Sequence, residues 1–130
     1  MTEQTWQPSA SLNHLKTRAE LLATLRHFFA ARNILEVETP LLAKYSVTDP
    51  YMDVLTADNP VGGKERYFLQ TSPEYAMKRL LASGSGPIYQ LCKAFRKGEQ
   101  GGRHNPEFTM LEWYRPDFDH HQLMDEVEAL

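Results

Sequence analysis

The sequence has one cysteine, no apolar run close to the length of a membrane span, and fewer basic than acidic residues. A lone Cys92 excludes an internal disulfide and fits a reducing compartment. Set in an apolar run, it reads as an inert buried thiol. A helix that crosses a membrane needs about 20 apolar residues, and none is present. The opening MTEQTWQPSAS has neither the basic nor the apolar region of a secretory signal. These absences give the expectation of a cytoplasmic protein with no membrane partner. Lys and Arg number 14 against 17 Asp and Glu, a formal net charge of -3. That balance argues against broad binding to nucleic acid or anionic membrane. Basic residues near Arg96 are then a local feature, suited to one phosphate-bearing ligand. Also missing are a Ser-His-Asp order, a Cys-x-x-Cys pair, a His-x-x-x-His pair and a GxxxxGK[ST] phosphate loop. The adjacent His120 and His121 are expected to point to different sides of a helix, which disfavours a metal pair.

What remains is one modest domain. At 130 residues, 42% hydrophobic and 24% charged, the chain can bury a real core. The polar residues 1–11 read as an N-terminal arm that Trp6 could tack onto the body. From Leu12 to about Arg32 a helix is predicted, with Leu15, Ala19, Leu22, Leu25 and Phe29 at helical spacing and Leu21 and Phe28 widening the stripe. Ser11 or Asn13 can cap its start, and Asn33 can take the left-handed position at its end. The stripe fits either packing inside the subunit or a dimer interface. Leu35 to Thr39 alternates as a short strand stopped by Pro40.

Residues 41–64 are the least legible, with Pro50, Pro60 and Gly62-Gly63 marking turns between short strands. Tyr67 to Gln70 reads as a strand that leads into Thr71-Ser72-Pro73-Glu74. That quartet is a helix start with a hydroxyl cap, Pro in the first turn and a carboxylate at the positive end. The helix turns Met77, Leu80 and Leu81 inward and stops at Gly84-Ser85-Gly86-Pro87. A strand from Ile88 to Arg96 follows, with Arg96 on the face of Gln90, Cys92 and Ala94. After Pro116, Asp117 or Asp119 can cap a last helix whose apolar side is Leu123, Val127 and Leu130.

The densest chemistry lies in FRKGEQGGRHNPEFTMLEWYRP, from Phe95 to Pro116. Cationic Arg96, Lys97, Arg103 and His104 surround a glycine-rich bend. Beyond it, Phe108, Met110, Glu112 and Tyr114 share one strand face by alternation. An Arg at a strand end can grip a phosphate through its planar fork. A carboxylate and a phenol can hold an ammonium group, and Glu74 could take a second amine. Such a slot favours attack of a carboxylate on a phosphate, where positioning and charge neutralisation carry much of the rate. The same residues also fit a solvated sheet face with cross-strand ion pairs. Spacing alone leaves both open.

The segment FRKGEQGGRHNPEFTMLEWYRP resembles motif 2 of the class II aminoacyl-tRNA synthetases, most closely the lysyl-tRNA synthetase branch. The helix and strand ending in LEVETP resemble motif 1. The likeness spans about residues 12–130, with motif 1 at about 20–40 and motif 2 at about 88–116. It implies an α+β fold: a class II synthetase-like antiparallel sheet flanked by helices, and a homodimer through motif 1. Within the branch the chain is similar to tRNA-independent ligases. In these, ATP activates (R)-β-lysine as an adenylate, and the β-lysyl group passes to a lysine side chain of elongation factor P. Motif 1 starts almost at the N-terminus, with no room for an OB-fold anticodon domain. In TSPEYAMKRLL, Ser72 stands where lysyl-tRNA synthetases generally have Ala. The partners so implied are elongation factor P and (R)-β-lysine or lysine, with tRNA disfavoured; tRNA charging or a non-catalytic dimerisation module are the alternatives.

By this resemblance Arg96 is the catalytic arginine on the α-phosphate, His104 and Asn105 lie near ATP, and Phe108 stacks on adenine. Glu112 and Tyr114 hold the side-chain amine of the substrate, while Ser72 and Glu74 receive its other amino group. The acidic residue usual two positions after the arginine is replaced by Gly98: either the loop shifts register by one and Glu99 makes the ATP contact, the preferred assignment, or that contact is lost. Motif 3 and the carboxylates that hold Mg2+ have no counterpart in these residues. The fold is therefore expected to be incomplete, half of a catalytic site with a raw sheet edge.

Overall fold

The computed structural model describes residues 6–130. Helix α1 runs Leu12–Ala30, and the Ser11 hydroxyl at its N-cap accepts from the His14 N–H at 3.2 Å. The chain leaves it through Asn33 at φ 54°, the left-handed position expected from sequence. Strand β1 is only Leu35–Glu36, shorter than the alternation implied, although the Val37 N–H still reaches the Tyr89 carbonyl at 2.9 Å.

Two three-stranded sheets follow. Strands β2 (Leu42–Ala43), β3 (Thr56–Asp58) and β4 (Arg66–Leu69) form an antiparallel sheet in the order β2-β4-β3. Helix α2 is Glu74–Ala82, and β5 (Ile88–Phe95) then pairs antiparallel with β6 (Glu107–Tyr114) over their full length. The order of this sheet is β1-β5-β6, with β1 parallel to β5. The expected all-antiparallel sheet is thus mixed at one edge, because the chain returns through the small sheet and α2 before it enters β5. Among the described residues β6 forms the other edge. Helix α3, His120–Ala129, closes the chain behind a capping box of Asp119 and Gln122.

The core lies where α1 ends against β5. Phe29, Ile34 and Tyr89 are buried there, with Phe28, Leu91, Leu111 and Trp113 packed around them. The Phe29 ring stacks on Tyr89 at 4.3 Å, and Trp113 tilts against it at 5.6 Å. Two sequence expectations fail at the periphery, those for Trp6 and the last helix, and the α1 stripe stays largely uncovered. Trp6 is 89% exposed and tacks nothing down; the preceding residues of the arm lie outside those described. Of the α1 stripe only Phe29 is buried, and Leu12, Leu15 and Leu21 face solvent, because no described element covers the first half of the helix. In α3, Leu123, Val127 and Leu130 are exposed, and the one buried residue is Glu126.

Candidate active site

Arg96 directly follows β5. Its N–H bonds the Pro106 carbonyl at 2.9 Å, which closes the mouth of the β5–β6 hairpin. Gly98 turns the loop at φ 83°, a conformation costly for any residue with a Cβ. Two further backbone bonds draw the rest of the chain onto the hairpin. Phe95 N–H donates to the Gln70 carbonyl at 2.9 Å, and Lys97 N–H to the Asp53 carbonyl at 3.0 Å.

The result is a cleft of about 430 Å³. Val47, Thr48, Asp49 and Met52 line one side, Thr71, Ser72, Glu74 and Tyr75 a second, and Arg96, Met110 and Glu112 the floor. Nothing in the residue pattern pointed to the first group, since residues 41–64 have neither helical nor strand periodicity. Tyr75 and Thr71 were also missed, although both adjoin the Ser72–Glu74 pair; Tyr75 shares a 2.9 Å hydroxyl bond with Thr48.

Alternation places Glu112 and Tyr114 on one face of β6, and the structure joins them to the start of α2. Ser72 Oγ donates to Glu112 Oε2 at 2.7 Å, and Tyr114 Oη donates to Glu112 Oε1. Both oxygens of one carboxylate are thereby held by hydroxyl donors. Burial, followed by the bond and charge of Glu112 and the charge of Glu74, pushes the Tyr114 phenol far above its ordinary value. It therefore stays a donor across the physiological range. Ser72 Oγ also accepts from the Glu74 N–H at 3.1 Å. Here the structure corrects the cap: Pro73 occupies the N-cap and Ser72 precedes it, so the hydroxyl serves the first turn from one residue further out. Glu74 Oε1 meets the Lys78 ammonium one helical turn away, a contact that raises the Lys78 pKa.

At the other end, the Arg96 guanidinium lies 5.2 Å over the Phe108 ring. Its Nε donates to the Thr71 carbonyl at 3.4 Å, and an Nη sits 3.5 Å from Glu99 Oε1. Arg96, Glu99 and Phe108 are thus one cluster; Ser72, Glu74, Glu112 and Tyr114 are another. Consecutive Thr71 and Ser72 link the two. His104 and Asn105 are not brought into the cleft. Both are exposed at the hairpin bend, where His104 bridges back to Gly101.

Cys92 is half-buried beside Gln70, and burial raises its thiol pKa, in keeping with the inert reading. The His120 and His121 rings lie 4.0 Å apart rather than on opposite sides of α3. Among the described residues no group of three or more His, Cys, Asp and Glu could hold a metal ion. No helix among them is long and apolar enough to cross a membrane.

The family model for class II tRNA synthetases (D, K and N) matches residues 5–130. The chain belongs to the class II tRNA synthetase family. Its mixed α/β arrangement of small sheets and three helices among the described residues agrees with that membership. Curated relatives narrow the family. The chain is 57% identical over 134 residues to the elongation factor P–(R)-β-lysine ligase of Pseudoalteromonas translucida, which covers 100% of the chain and 41% of the relative. The ligase of the same name from Vibrio cholerae is 56% identical over 133 residues, with the same two coverages. That of Photobacterium profundum is 52% identical over 130 residues, 98% of this chain and 40% of the relative. This class II chain therefore spans about two fifths of the length of the curated relatives it matches.

Proposed function

We propose that this chain is the motif 1 and motif 2 part of an ATP-dependent ligase that activates (R)-β-lysine and transfers it to a lysine side chain of elongation factor P. The observation that carries the reading is one cleft lined by both Arg96, whose guanidinium lies 5.2 Å over the adjoining Phe108 ring, and Glu112, whose carboxylate is hydrogen-bonded by Ser72 and Tyr114. The relatives named for that ligase reaction support it.

In the first step a carboxylate oxygen of the amino acid attacks the α-phosphorus of ATP, the bond to the β-phosphate oxygen breaks, and pyrophosphate leaves. Arg96 would hold the α-phosphate and offset its growing negative charge, with Glu99 keeping the guanidinium in place. Phe108 would stack on the adenine, and His104 and Asn105 would close over ATP from the hairpin bend. Glu112 and Tyr114 would receive the side-chain ammonium, and Ser72 and Glu74 the second amino group. In the second step the acceptor lysine nitrogen attacks the acyl carbon, AMP leaves, and an amide forms. The resemblance assigns the carboxylates that would hold Mg2+ to the C-terminal half of a whole enzyme. The domain reading follows suit: an arm at 1–11 and a synthetase-like part at 12–130. The solvent-facing leucines of α1 support a homodimer through motif 1.

Replacing the matching segment of one of those relatives by this chain gives the test. Mass spectrometry should find the β-lysyl adduct on elongation factor P when ATP and (R)-β-lysine are present. Charging of tRNA with α-lysine instead would turn the reading to a lysyl-tRNA synthetase. A folded chimera inert in both reactions would favour a non-catalytic dimerisation module.

A further inference from the structure

Glu126 takes no part in the cleft, yet it is a carboxylate only 7% exposed in the middle of α3, where the sequence pattern called for an apolar side. Its Oε2 accepts from Trp113 Nε1 at 3.0 Å, and its Oε1 from an Arg115 Nη at 2.7 Å. Arg32, just past α1, adds a more distant contact at 4.0 Å. Burying a carboxylate costs several kcal/mol unless it is paired in good geometry. Here the pairing partners are the two residues on either side of Tyr114. By strand alternation Trp113 and Arg115 face away from the surface that carries Glu112 and Tyr114.

That placement matters because, among the described residues, β6 is a sheet edge paired only with β5, and its last paired residue is Tyr114 opposite Ile88. The end of an edge strand is free to roll about its own axis, and a roll there would swing Tyr114 and Glu112 away from Ser72. We propose that Glu126 is a positioning residue: by clamping Trp113 and Arg115 behind β6 it holds Tyr114 and Glu112 in line with Ser72 at the amine end of the cleft. An apolar residue at 126 could fill the same space, but it would leave the Trp113 N–H without its acceptor and the Arg115 guanidinium with only the Phe118 ring, 4.0 Å away, to hold it. The word amine rests on the function proposed above; the positioning itself does not.

Solution NMR of the chain with labelled tyrosine reads the outcome through the Tyr114 hydroxyl proton, which its bond to Glu112 shields from exchange with water. Glu126→Gln keeps an acceptor for Trp113 but loses the charge that holds Arg115. It should speed exchange of that proton at least about tenfold, the scale expected when a bond to a charged group loosens. Ile34→Val, a core change remote from Glu126, is the matched control and should leave the proton as in the original chain. If Glu126→Gln fails to fold, Arg115→Met removes one partner only and should give the same acceleration. Unchanged exchange in a folded Glu126→Gln or Arg115→Met, or equal acceleration in Ile34→Val, overturns the proposal. Titration with lysine on the same resonance separates the two claims. No response in the original chain counts against the amine reading and leaves the Glu126 result standing.

Discussion

Ser72→Ala is the most instructive single change, because one hydroxyl joins the two walls of the cleft. The substitution removes the 2.7 Å bond to Glu112 Oε2 and the 3.1 Å bond from the Glu74 N–H. A hydrogen bond to a charged group contributes about 1.5–3 kcal/mol, more than a neutral one. The Glu74 N–H lies in the first turn of α2, where water can replace the lost acceptor, so it adds little. The expected loss is about 2 kcal/mol, which for a domain of this size lowers Tm by roughly 8 °C. Urea unfolding at neutral pH measures it, with Ser72→Thr as the control that keeps a hydroxyl and most of the stability. A loss below about 0.5 kcal/mol, the range of surface changes, would show that the Ser72–Glu112 bond does not hold the cleft together. In an active chimera the same change should also lower the preference for (R)-β-lysine over α-lysine, since Ser72 is assigned to the displaced amino group.

Other outcomes follow from the core, the phenols and the exposed helix. Phe29→Ala empties the centre of the aromatic cluster and should cost about 3–5 kcal/mol in denaturant unfolding, enough to abolish cooperative folding if total stability is low. Burial, then the bond to Glu36, pushes the Tyr89 phenol up to about 12. The native state thus keeps a proton that the unfolded chain releases near pH 10, so the stability Tyr89 adds is full below about pH 10 and lost as pH rises to about 12. Tyr114 acts in the same direction, and Tyr89→Phe should flatten the alkaline fall seen in unfolding measured between those two values. Leu15→Lys, on the uncovered half of α1, should shift sedimentation of a dimer to that of a monomer; an unchanged sedimentation coefficient would place any dimer contact elsewhere.

Much of the frame was legible because local rules governed it. Ser11 capped α1, Asn33 ended it, and the alternation of Phe108, Glu112 and Tyr114 survived because β6 pairs with β5 without a bulge. What was hidden depended on tertiary contacts. The stripe of α1 gave no way to tell a core from an interface, and in the structure Leu12, Leu15 and Leu21 lack any described cover. The apolar pattern of α3 pointed to Leu123 and Val127, whereas a buried Glu126 took the inner face through Trp113 and Arg115 at the end of β6 and, more distantly, Arg32. Residues 47–52 carry no periodicity, yet they form a wall of the cleft through backbone bonds such as that of Asp53 to Lys97. His104 and Asn105, assigned to ATP by resemblance, stand exposed on the bend, outside the cleft lining.

Arg96 offers the most direct test of the proposed site. ATP–pyrophosphate exchange driven by (R)-β-lysine, measured on the chimera with Arg96 and with Arg96→Ala, reads adenylate formation without the later transfer. Exchange is expected in the first, and at least a tenfold lower rate in the second, about 1.4 kcal/mol of lost transition-state stabilisation. Exchange that is unaffected by Arg96→Ala would contradict the role given to this arginine.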